Sequence, residues 1–389
     1  QTIIEADCVV IMQAANTGLT GGSTPYGDEY DRPVIIMSTR RLQGIQVILD
    51  GKQVVCLPGA TLDNLERTLK PYNREPHSVI GSSCIGASVL GGVCNNSGGA
   101  LVRRGPAYTE MALYARVNES GELELINHLG IDLGNTAEEI LTRLQKQDYE
   151  TGQVTTQTTQ LASDNRYAHD VKQVDADSPA RFNADPTRLY EASGSAGKVC
   201  VFAVRLDTFE KVESKVFYIG SNDHDDLTAI RRYLLTSLPS LPIAGEYIHR
   251  DAFSIGAKYG KDTFLFIERF GTVNIPRALA LKDRIDGWLE KIKIRGLTDQ
   301  ILQAITFFLP NHLPRRMLAF HQRFEHHLIL RVDEQSAEQT QQFLNEYFAV
   351  HSTGSYFACT EEEGRKAFLH RFAVAGAAIR YRDTHRAEV

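Results

Sequence analysis

AANTGLTGGS (residues 14–23) and GSSCIGASVLGGVCNNSGG (residues 81–99) are the two stretches of this sequence that decide its fold. The first follows directly on a strand-like apolar run at residues 8–12. Glycine permits positive φ and lets the main chain approach a ligand closely. Successive N–H groups in such turns point into one concavity and bind a diphosphate without Lys or Arg. One run alone would be equally typical of a tight turn, but two of them favour a diphosphate site.

The common competing motifs are missing from the sequence. No G-x-G-x-x-G follows a strand, which argues against a Rossmann-type dinucleotide site. No G-x-x-x-x-G-K-[ST] occurs either, which argues against a nucleoside triphosphatase. Small hydroxyl side chains in the two runs can add hydrogen bonds to a ligand, namely Thr17, Ser23, Ser82 and Ser88.

Composition narrows the class of protein further. With 389 residues, the chain is long enough for two or three domains. Its net charge of -6 argues against a general nucleic-acid-binding protein, because phosphate contacts need clustered Lys and Arg. The six cysteines form no CxxC pair, so neither a disulfide framework nor a zinc site is expected. No apolar run approaches the roughly 20 residues of a membrane-spanning helix.

Both termini suggest a fragment. The chain begins at Gln1 and enters a strand within a dozen residues, and it stops just after an amphipathic stretch at 366–380. We interpret the sequence as lacking both ends of a longer protein.

Periodicity predicts a mixed architecture. In the first part we expect strands at 34–37, 112–117 and 123–126, a hairpin at 45–57 around Asp50-Gly51, and helices at 61–70 (capped by Thr61) and 137–147. Residues 148–180 lose periodicity and predict a polar surface loop. In the second part we expect strands at 199–206, 216–219 and 327–332, with helices at 225–238 and 334–349.

Longer motifs carry a family resemblance over essentially the whole chain. The sequence resembles the FAD-binding domain of the vanillyl-alcohol oxidase and p-cresol methylhydroxylase family in AANTGLTGGSTP (14–25), REPHSVIGSSCIGASVLGGVCNNSGG (74–99) and RGPAYTEM (104–111). Within that family it is similar to the membrane-associated, quinone-dependent D-lactate dehydrogenases of bacteria in NHLGIDLG (127–134), SPARFNADP (178–186) and KAFLHRF (366–372).

The resemblance implies an α+β fold. It places an FAD-binding domain of the p-cresol methylhydroxylase type at 1–207, with its N-terminal part missing and the polar loop at 148–180. An α+β cap domain follows at 208–249 and 327–389, the latter running into a truncated C-terminal region. A basic membrane-binding segment is inserted at 250–326.

The resemblance also implies a set of FAD contacts. They are Ala14, Ala15, Asn16, Thr17, Gly18, Gly22, Ser23, Gly81, Ser88, Gly98 and Val201. Some relatives attach the flavin covalently through a histidine in the first loop. This sequence has no histidine there, so non-covalent FAD is expected.

The implied reaction is oxidation of D-lactate to pyruvate, with hydride passing to the flavin and electrons passing to a membrane quinone. Such chemistry needs a cation for the substrate carboxylate and a base for the hydroxyl proton. The sequence assigns no catalytic residue, because the resemblance places the histidine motifs of the family in a C-terminal stretch beyond this sequence. Arg104, His249 and Arg250 are weak candidates, and a structural role is the better interpretation of Arg104 and His249. Two alternatives stay open: another D-2-hydroxy acid as donor, or an FAD-binding, lipid-docking fragment without catalysis.

Charge is distributed unevenly along the chain. Residues 250–326 hold 13 Lys and Arg against 8 Asp and Glu, a net charge of +5. Phenylalanines are interleaved with these cations, so the segment can dock on anionic lipid. With the resemblance, this predicts a peripheral protein on the cytoplasmic side of the cell inner membrane.

Two further polar clusters have structural explanations. Adjacent residues in a strand point to opposite faces, so Glu325-His326-His327 is interpreted as solvated polar residues rather than a metal site. Asp223-His224-Asp225-Asp226 is interpreted as the start of a helix, where acidic groups favour the dipole.

Overall fold

A computed structural model describes residues 1–18, 21–77, 86–156, 158–177, 185–270, 284–285 and 311–385. The chain forms two compact units, each described by itself below. Unit 1 consists of Gln1–Gly99, Arg104–Val171 and Ala176–Lys211, and unit 2 of Ala100–Arg103, Lys172–Asp175 and Val212–Val389.

Unit 1 combines a five-stranded antiparallel main sheet with two small strand pairs and short helices. Its strands are β1 (Val9–Gln13), β2 (Val34–Ser38), β3 (Ile45–Ile48), β4 (Gln53–Cys56), β5 (Arg74–Glu75), β6 (Ala112–Val117), β7 (Leu123–Asn127), β8 (Cys200–Asp207) and β9 (Phe209–Glu210). Its helices are α1 (Thr2–Glu5), α2 (Leu62–Leu69), α3 (Val89–Cys94), α4 (Ala137–Lys146) and α5 (Tyr167–Asp170). The main sheet has the strand order β3-β4-β8-β6-β7, while β1 pairs with β2 and β5 with β9.

Local sequence signals account for much of unit 1. The β3–β4 hairpin turns where Asp50 and Gly51 adopt positive φ of 53° and 88°, as the Asp-Gly dipeptide predicts. Helix α2 begins after Thr61, whose side chain accepts a hydrogen bond from the Asn64 N–H at 3.2 Å. The predicted strands and helices of this part are therefore confirmed, while the polar stretch 148–180 also contains the short helix α5.

Two apolar cores lie on the two faces of the main sheet. Helices α2 and α3 pack on one face, with Leu65, Leu69, Val93, Val201 and Val204 in the core. Helix α4 packs on the other face, with Leu113, Leu129, Ile140, Leu144 and Ala203. The sheet is thus covered on both sides, which fixes the positions of the loops at its ends.

Arg205 crosses the second of these cores as a buried cation. Its side chain is 1 % exposed. It donates to the carbonyl oxygens of Leu129 and Thr155, each at 3.0 Å, and to Gln53 Oε1 at 2.7 Å. Because unpaired buried charges are strongly destabilising, these acceptors anchor the polar segment after α4 to strand β8.

Unit 2 is an antiparallel sheet covered by helices on both faces. Its strands are β10 (Ser214–Ser221), β11 (Ala244–His249), β12 (His326–Asp333) and β13 (Gly354–Ala358), in the order β11-β12-β10-β13. Its described helices are α6 (His224–Thr236), α7 (Arg250–Tyr259), α8 (Lys261–Phe270), α9 (Arg315–Arg323), α10 (Glu334–Val350) and α11 (Glu361–His385). Strands β11 and β13 were not predicted from the sequence.

The two faces of this sheet hold different cores. Helices α6 and α10 enclose one apolar core, with Ile230, Leu234, Leu330, Val332 and Leu344. Helices α7, α8, α9 and α11 enclose the other, which is rich in aromatic residues such as Tyr218, Phe253, Phe264 and Phe357. None of the described helices combines the length and the apolar character needed to cross a bilayer.

A short earlier stretch of chain completes the edge of this sheet. Leu101 forms a bridge with Ala244 in β11, and the Val102 N–H donates to Ile243 O at 3.0 Å. Arg103 forms an ion pair with Asp333 at the end of β12. Unit 2 is therefore built from separate parts of the sequence.

Three histidines lie in the aromatic core of unit 2, which corrects the interpretation of His327 as solvated. His327 is fully buried, because β12 is a central strand with helices over both faces, and His370 and His312 are 1 % and 6 % exposed. Among the described residues, none of their ring nitrogens has a hydrogen-bond partner. Burial lowers the pKa of His327 and His312 to about 4 and that of His370 to about 3.

These histidines predict acid instability of unit 2. Their folded-state pKa values lie below the unfolded value of ~6.5, so the unfolded chain binds more protons and stability falls as the pH drops from 6.5 towards 4. Each histidine contributes a slope of about 1.4 kcal/mol per pH unit. Urea unfolding followed by circular dichroism between pH 7.5 and 5 measures this slope.

Substitution of single histidines measures how much each of them contributes to the pH dependence of stability. His327→Leu and His370→Leu should each reduce the slope by one histidine's share. A wild-type slope in both leucine variants would contradict this assignment.

Candidate functional site

The first glycine loop begins at the carboxyl end of the parallel pair β1–β2. Asn16 adopts a left-handed φ of 54°. Its side-chain oxygen accepts hydrogen bonds from Ser23 Oγ at 2.7 Å and Thr24 Oγ1 at 2.8 Å. The Gln13 side chain donates to Ser23 O at 2.7 Å, so both ends of the loop are tied together.

The described glycines of this loop face open space. A Cβ built on Gly18, Gly21 or Gly22 would meet no atom within 4 Å. Ala14, Ala15 and Thr17 are half-buried, while Asn16 and Gly18 are exposed. The loop therefore has an open side on which a ligand can lie against the main chain.

The second run of glycines is partly helical, which corrects its interpretation as a continuous loop. Residues 78–85 lie outside the described residues, and Gly81 is among them. From Gly86 onward the chain enters α3, whose first N–H groups are capped by Ser88 Oγ, which accepts from Gly91 N at 3.0 Å. Gly98 follows the helix and is exposed. A local signal for α3 exists in the Ser88 cap, but the surrounding glycines obscure it.

The two runs meet at one point. Gly86 has a φ of 94°, and a Cβ built on it would lie 3.6 Å from the Cβ of Ala15. Two segments that are distant in the sequence therefore bring their main chains side by side. This is the arrangement that a shared diphosphate site requires.

Val201 lies on strand β8, not at the loops themselves. Its side chain is 5 % exposed and belongs to the core beneath α3. The preceding residue, Cys200, places its Sγ 3.9 Å from Met12 Sδ at the end of β1. Strand β8 thus passes beside the base of the first loop.

The polar residues considered for catalysis have structural partners. Arg104 is buried, pairs with Glu75 at 2.5 Å and stacks over the Phe209 ring at 4.0 Å. His249 Nδ1 accepts from the N–H of Asp251 at 3.2 Å and so caps α7.

Two further polar groups considered in the sequence have structural roles in unit 2. Arg250 pairs with Glu325 at 2.9 Å. Asp223 accepts from the N–H of Asp225 at 2.9 Å, which confirms that this acidic cluster begins a helix.

A polar cluster in unit 1 was missed by sequence reasoning. Glu191 Oε1 lies 2.7 Å from His128 Nδ1. Burial raises the pKa of Tyr114, and the Glu191 carboxyl beside it raises it further. No local pattern links these three residues, because they come together only when β6, β7 and the segment before β8 assemble.

The described parts of both loops fit a flavin diphosphate. Residues 13–23 and 86–99 contain no Lys or Arg, so main-chain N–H groups and small hydroxyls are the donors available there. The side-chain oxygen of Asn96, three residues before the end of the second run, is buried and has no partner among the described residues. An orphaned buried polar atom beside an open main-chain surface is typical of a ligand site.

Comparison with known families agrees with this site. A model described as "FAD binding domain" matches residues 5–124, and one described as "D-lactate dehydrogenase, membrane binding" matches residues 216–389. A crystal structure of p-cresol methylhydroxylase with substrate bound has a similar fold, with a TM-score of 0.51 and 10 % identity over 96 % of this chain and 60 % of that one. Fold, site and family model together define an FAD-binding protein with the fold of p-cresol methylhydroxylase.

Curated relatives identify the family within this class. The quinone-dependent D-lactate dehydrogenase of Haemophilus influenzae is 56 % identical over 99 % of this chain and 69 % of its own length. That of Escherichia coli K12 is 54 % identical over 99 % of this chain and 68 % of its own length. The chain belongs to the family of quinone-dependent D-lactate dehydrogenases, which confirms the predicted family, fold class, cofactor and class of enzyme.

The contact between the loops predicts a specific loss of FAD affinity. Gly86→Val adds a branched side chain at a left-handed position facing Ala15, where non-glycine residues are strained by about 1–2 kcal/mol. We expect the FAD dissociation constant to rise about tenfold or more, measured by fluorescence titration of the apoprotein.

The control for this prediction is Gly121→Val. Gly121 has a similar φ of 81°, lies in the β6–β7 turn and has no neighbour within 4 Å of a built Cβ. This variant should lose comparable stability and keep its FAD affinity. Equal affinity in both variants would show that the loop contact does not support the cofactor.

Proposed function

We propose that this chain oxidises D-lactate to pyruvate at a non-covalently bound FAD and passes the electrons to a membrane quinone. The observation that carries the proposal is the approach of Gly86 to Ala15, which brings two anion-binding main-chain segments together. The family supports the choice of donor and acceptor.

The residues of the chain have a defined task in this proposal. Main-chain N–H groups of residues 14–18 and 22–23, with those around Ser88 and Gly98, hold the diphosphate, and Gly81 and Val201 complete the set. A site built from main-chain amides binds the diphosphate without a side-chain cation, so none of its hydrogen-bond donors is lost by titration at any pH where the protein is folded. When bound, the flavin supplies the hydride acceptor, and the protein supplies position and charge.

Unit 2 supplies the membrane contact in this proposal. We assign it to the segment 250–326 with its net charge of +5. Among its described residues, Arg269, Arg284, Arg315 and Arg323 are exposed, and Phe270 is 55 % exposed beside Arg269. Exposed cations next to an exposed aromatic ring fit the interface of an anionic bilayer. In this proposal the protein is a peripheral membrane protein that binds the cytoplasmic side of the inner membrane.

Anaerobic reduction tests the donor. Adding D-lactate to the FAD-loaded protein without oxygen should bleach the visible flavin absorbance, and L-lactate should leave it unchanged. Bleaching by a different D-2-hydroxy acid alone would identify another donor. Bound FAD that no hydroxy acid reduces would contradict catalysis by this chain.

Co-sedimentation with vesicles tests the membrane contact. Binding to vesicles of phosphatidylcholine with phosphatidylglycerol should be strong at low salt and weaken as salt approaches about 1 M, because screening shortens the Debye length to about 3 Å. Each Lys or Arg near the surface contributes about 1 kcal/mol, so the double variant Arg269→Glu/Arg315→Glu should lower the partition coefficient at least tenfold.

A matched charge change in unit 1 is the control for this test. Arg116→Glu/Lys146→Glu alters the net charge by the same amount on residues of β6 and α4. It should bind vesicles within about twofold of wild type. Equal loss in both double variants would indicate a general charge effect instead of a docking segment.

A further inference from the structure

The segment from Tyr190 to Gly197 forms a third tight turn in unit 1. Glu191, Gly194, Ala196 and Gly197 have positive φ of 47°, 69°, 48° and 91°. Left-handed backbone is unfavourable for Glu and Ala, so the surroundings must impose it, and such positions cluster at binding sites.

This turn is attached to the end of α3. The Gly194 N–H donates to Val93 O at 3.0 Å, and the Ala196 N–H donates to Cys94 O at 2.9 Å. Asn96, which is also left-handed at φ 47° and 5 % exposed, follows directly on this end of the helix. The turn therefore lies beside the last part of the second glycine run, close to the predicted FAD contact Gly98.

The carboxyl group of Glu191 lies beside His128 and is hydrogen-bonded by Tyr114. Oε1 lies 2.7 Å from His128 Nδ1, and the side chain is 16 % exposed. Oε2 is buried and has no hydrogen-bond partner among the described residues. Tyr114, beside this carboxyl, is the strand partner of Val201, another predicted FAD contact.

Two buried acceptor oxygens without a partner among the described residues, one in this turn and one after α3, are consistent with a ligand that carries hydrogen-bond donors. A buried carboxylate oxygen without a partner is unfavourable, and so is the buried side-chain oxygen of Asn96. Both are hydrogen-bond acceptors, and the carboxylate is negatively charged, so neither suits a diphosphate. The complementary groups of an FAD molecule are its sugar hydroxyls and ring N–H groups.

We propose that Glu191 is a cofactor-binding residue that accepts a hydrogen bond from a hydroxyl or ring N–H group of FAD. His128 and Tyr114 are positioning residues that hold its carboxyl, and Asn96 is a second acceptor. The inference rests on the proposed function, because it takes FAD as the ligand of the two glycine loops. In this inference the main-chain site holds the diphosphate of FAD, and Glu191 and Asn96 accept hydrogen bonds from its uncharged donor groups.

The test compares FAD affinity with stability in matched variants. Apoprotein is titrated with FAD by fluorescence, and thermal unfolding of the same samples is followed by circular dichroism. Glu191→Ala should raise the FAD dissociation constant at least tenfold, and Glu191→Gln, which keeps one acceptor oxygen but loses the charge, about threefold to tenfold. The glutamine variant keeps the test usable if the alanine variant does not fold.

Glu110→Gln is the matched control. Glu110 is also a glutamate of unit 1 with a hydrogen-bonded carboxyl, but both oxygens have protein partners, Tyr108 Oη at 2.8 Å and Leu161 N at 2.9 Å. This variant should lower the unfolding temperature and leave FAD affinity unchanged.

Two results would overturn the inference, and they are distinguishable. Wild-type affinity for FAD in both Glu191 variants, with or without a lower unfolding temperature, would show that Glu191 only supports the turn. Wild-type protein that takes up no FAD would overturn the proposed function, and this inference would fail with it.

Discussion

Close approach of two main chains is the constraint on which the rest of the site depends. A diphosphate that is held by amides needs both walls of its site within hydrogen-bond reach. A Cβ built on Gly86 would be in ordinary van der Waals contact with Ala15 at 3.6 Å, and the φ of 94° at this position favours glycine. The parallel pair β1–β2 fixes one wall and the Ser88-capped helix α3 fixes the other.

The sheet of unit 1 supports this arrangement from below. Its two covered faces leave the loops at the edges to face solvent, and β8 passes next to the end of β1 through Cys200 and Met12. Some buried polar groups of the unit are satisfied by the protein itself, as with Arg205 and its carbonyl acceptors. Others, such as His77 and Asn96, have no hydrogen-bond partner among the described residues, and Asn96 is the one of these two that lies in the second glycine run.

Much of the fold could be predicted from the sequence because its signals are local. The Asp50-Gly51 turn, the Thr61 cap and the apolar spacing of α2 each act within a few residues. The glycine runs and the longer motifs are also continuous stretches of sequence, and they indicated the cofactor and the family. The individual FAD contacts stay predictions, since they came from resemblance, and Gly81 lies outside the described residues.

Other features depend on contacts between distant residues and could not be predicted in this way. His327 is buried because β12 occupies the centre of a sheet whose order no single segment specifies. Glu191 meets His128 only after three elements assemble. The helix α3 was missed because glycines, which are poor helix formers, occupy two of its six positions, and packing against the core stabilises it.

Unit 2 is built from separate stretches of the sequence, so it cannot be transferred to another protein as one contiguous segment. Recombination that transferred the contiguous stretch 212–389 would leave behind the residues at 100–103 that pair with the edge strand β11 and neutralise Asp333. The excised piece would expose an open strand edge, which favours association with other chains. Fusion designs and natural domain shuffling therefore have to include residues 100–103 together with the rest of unit 2.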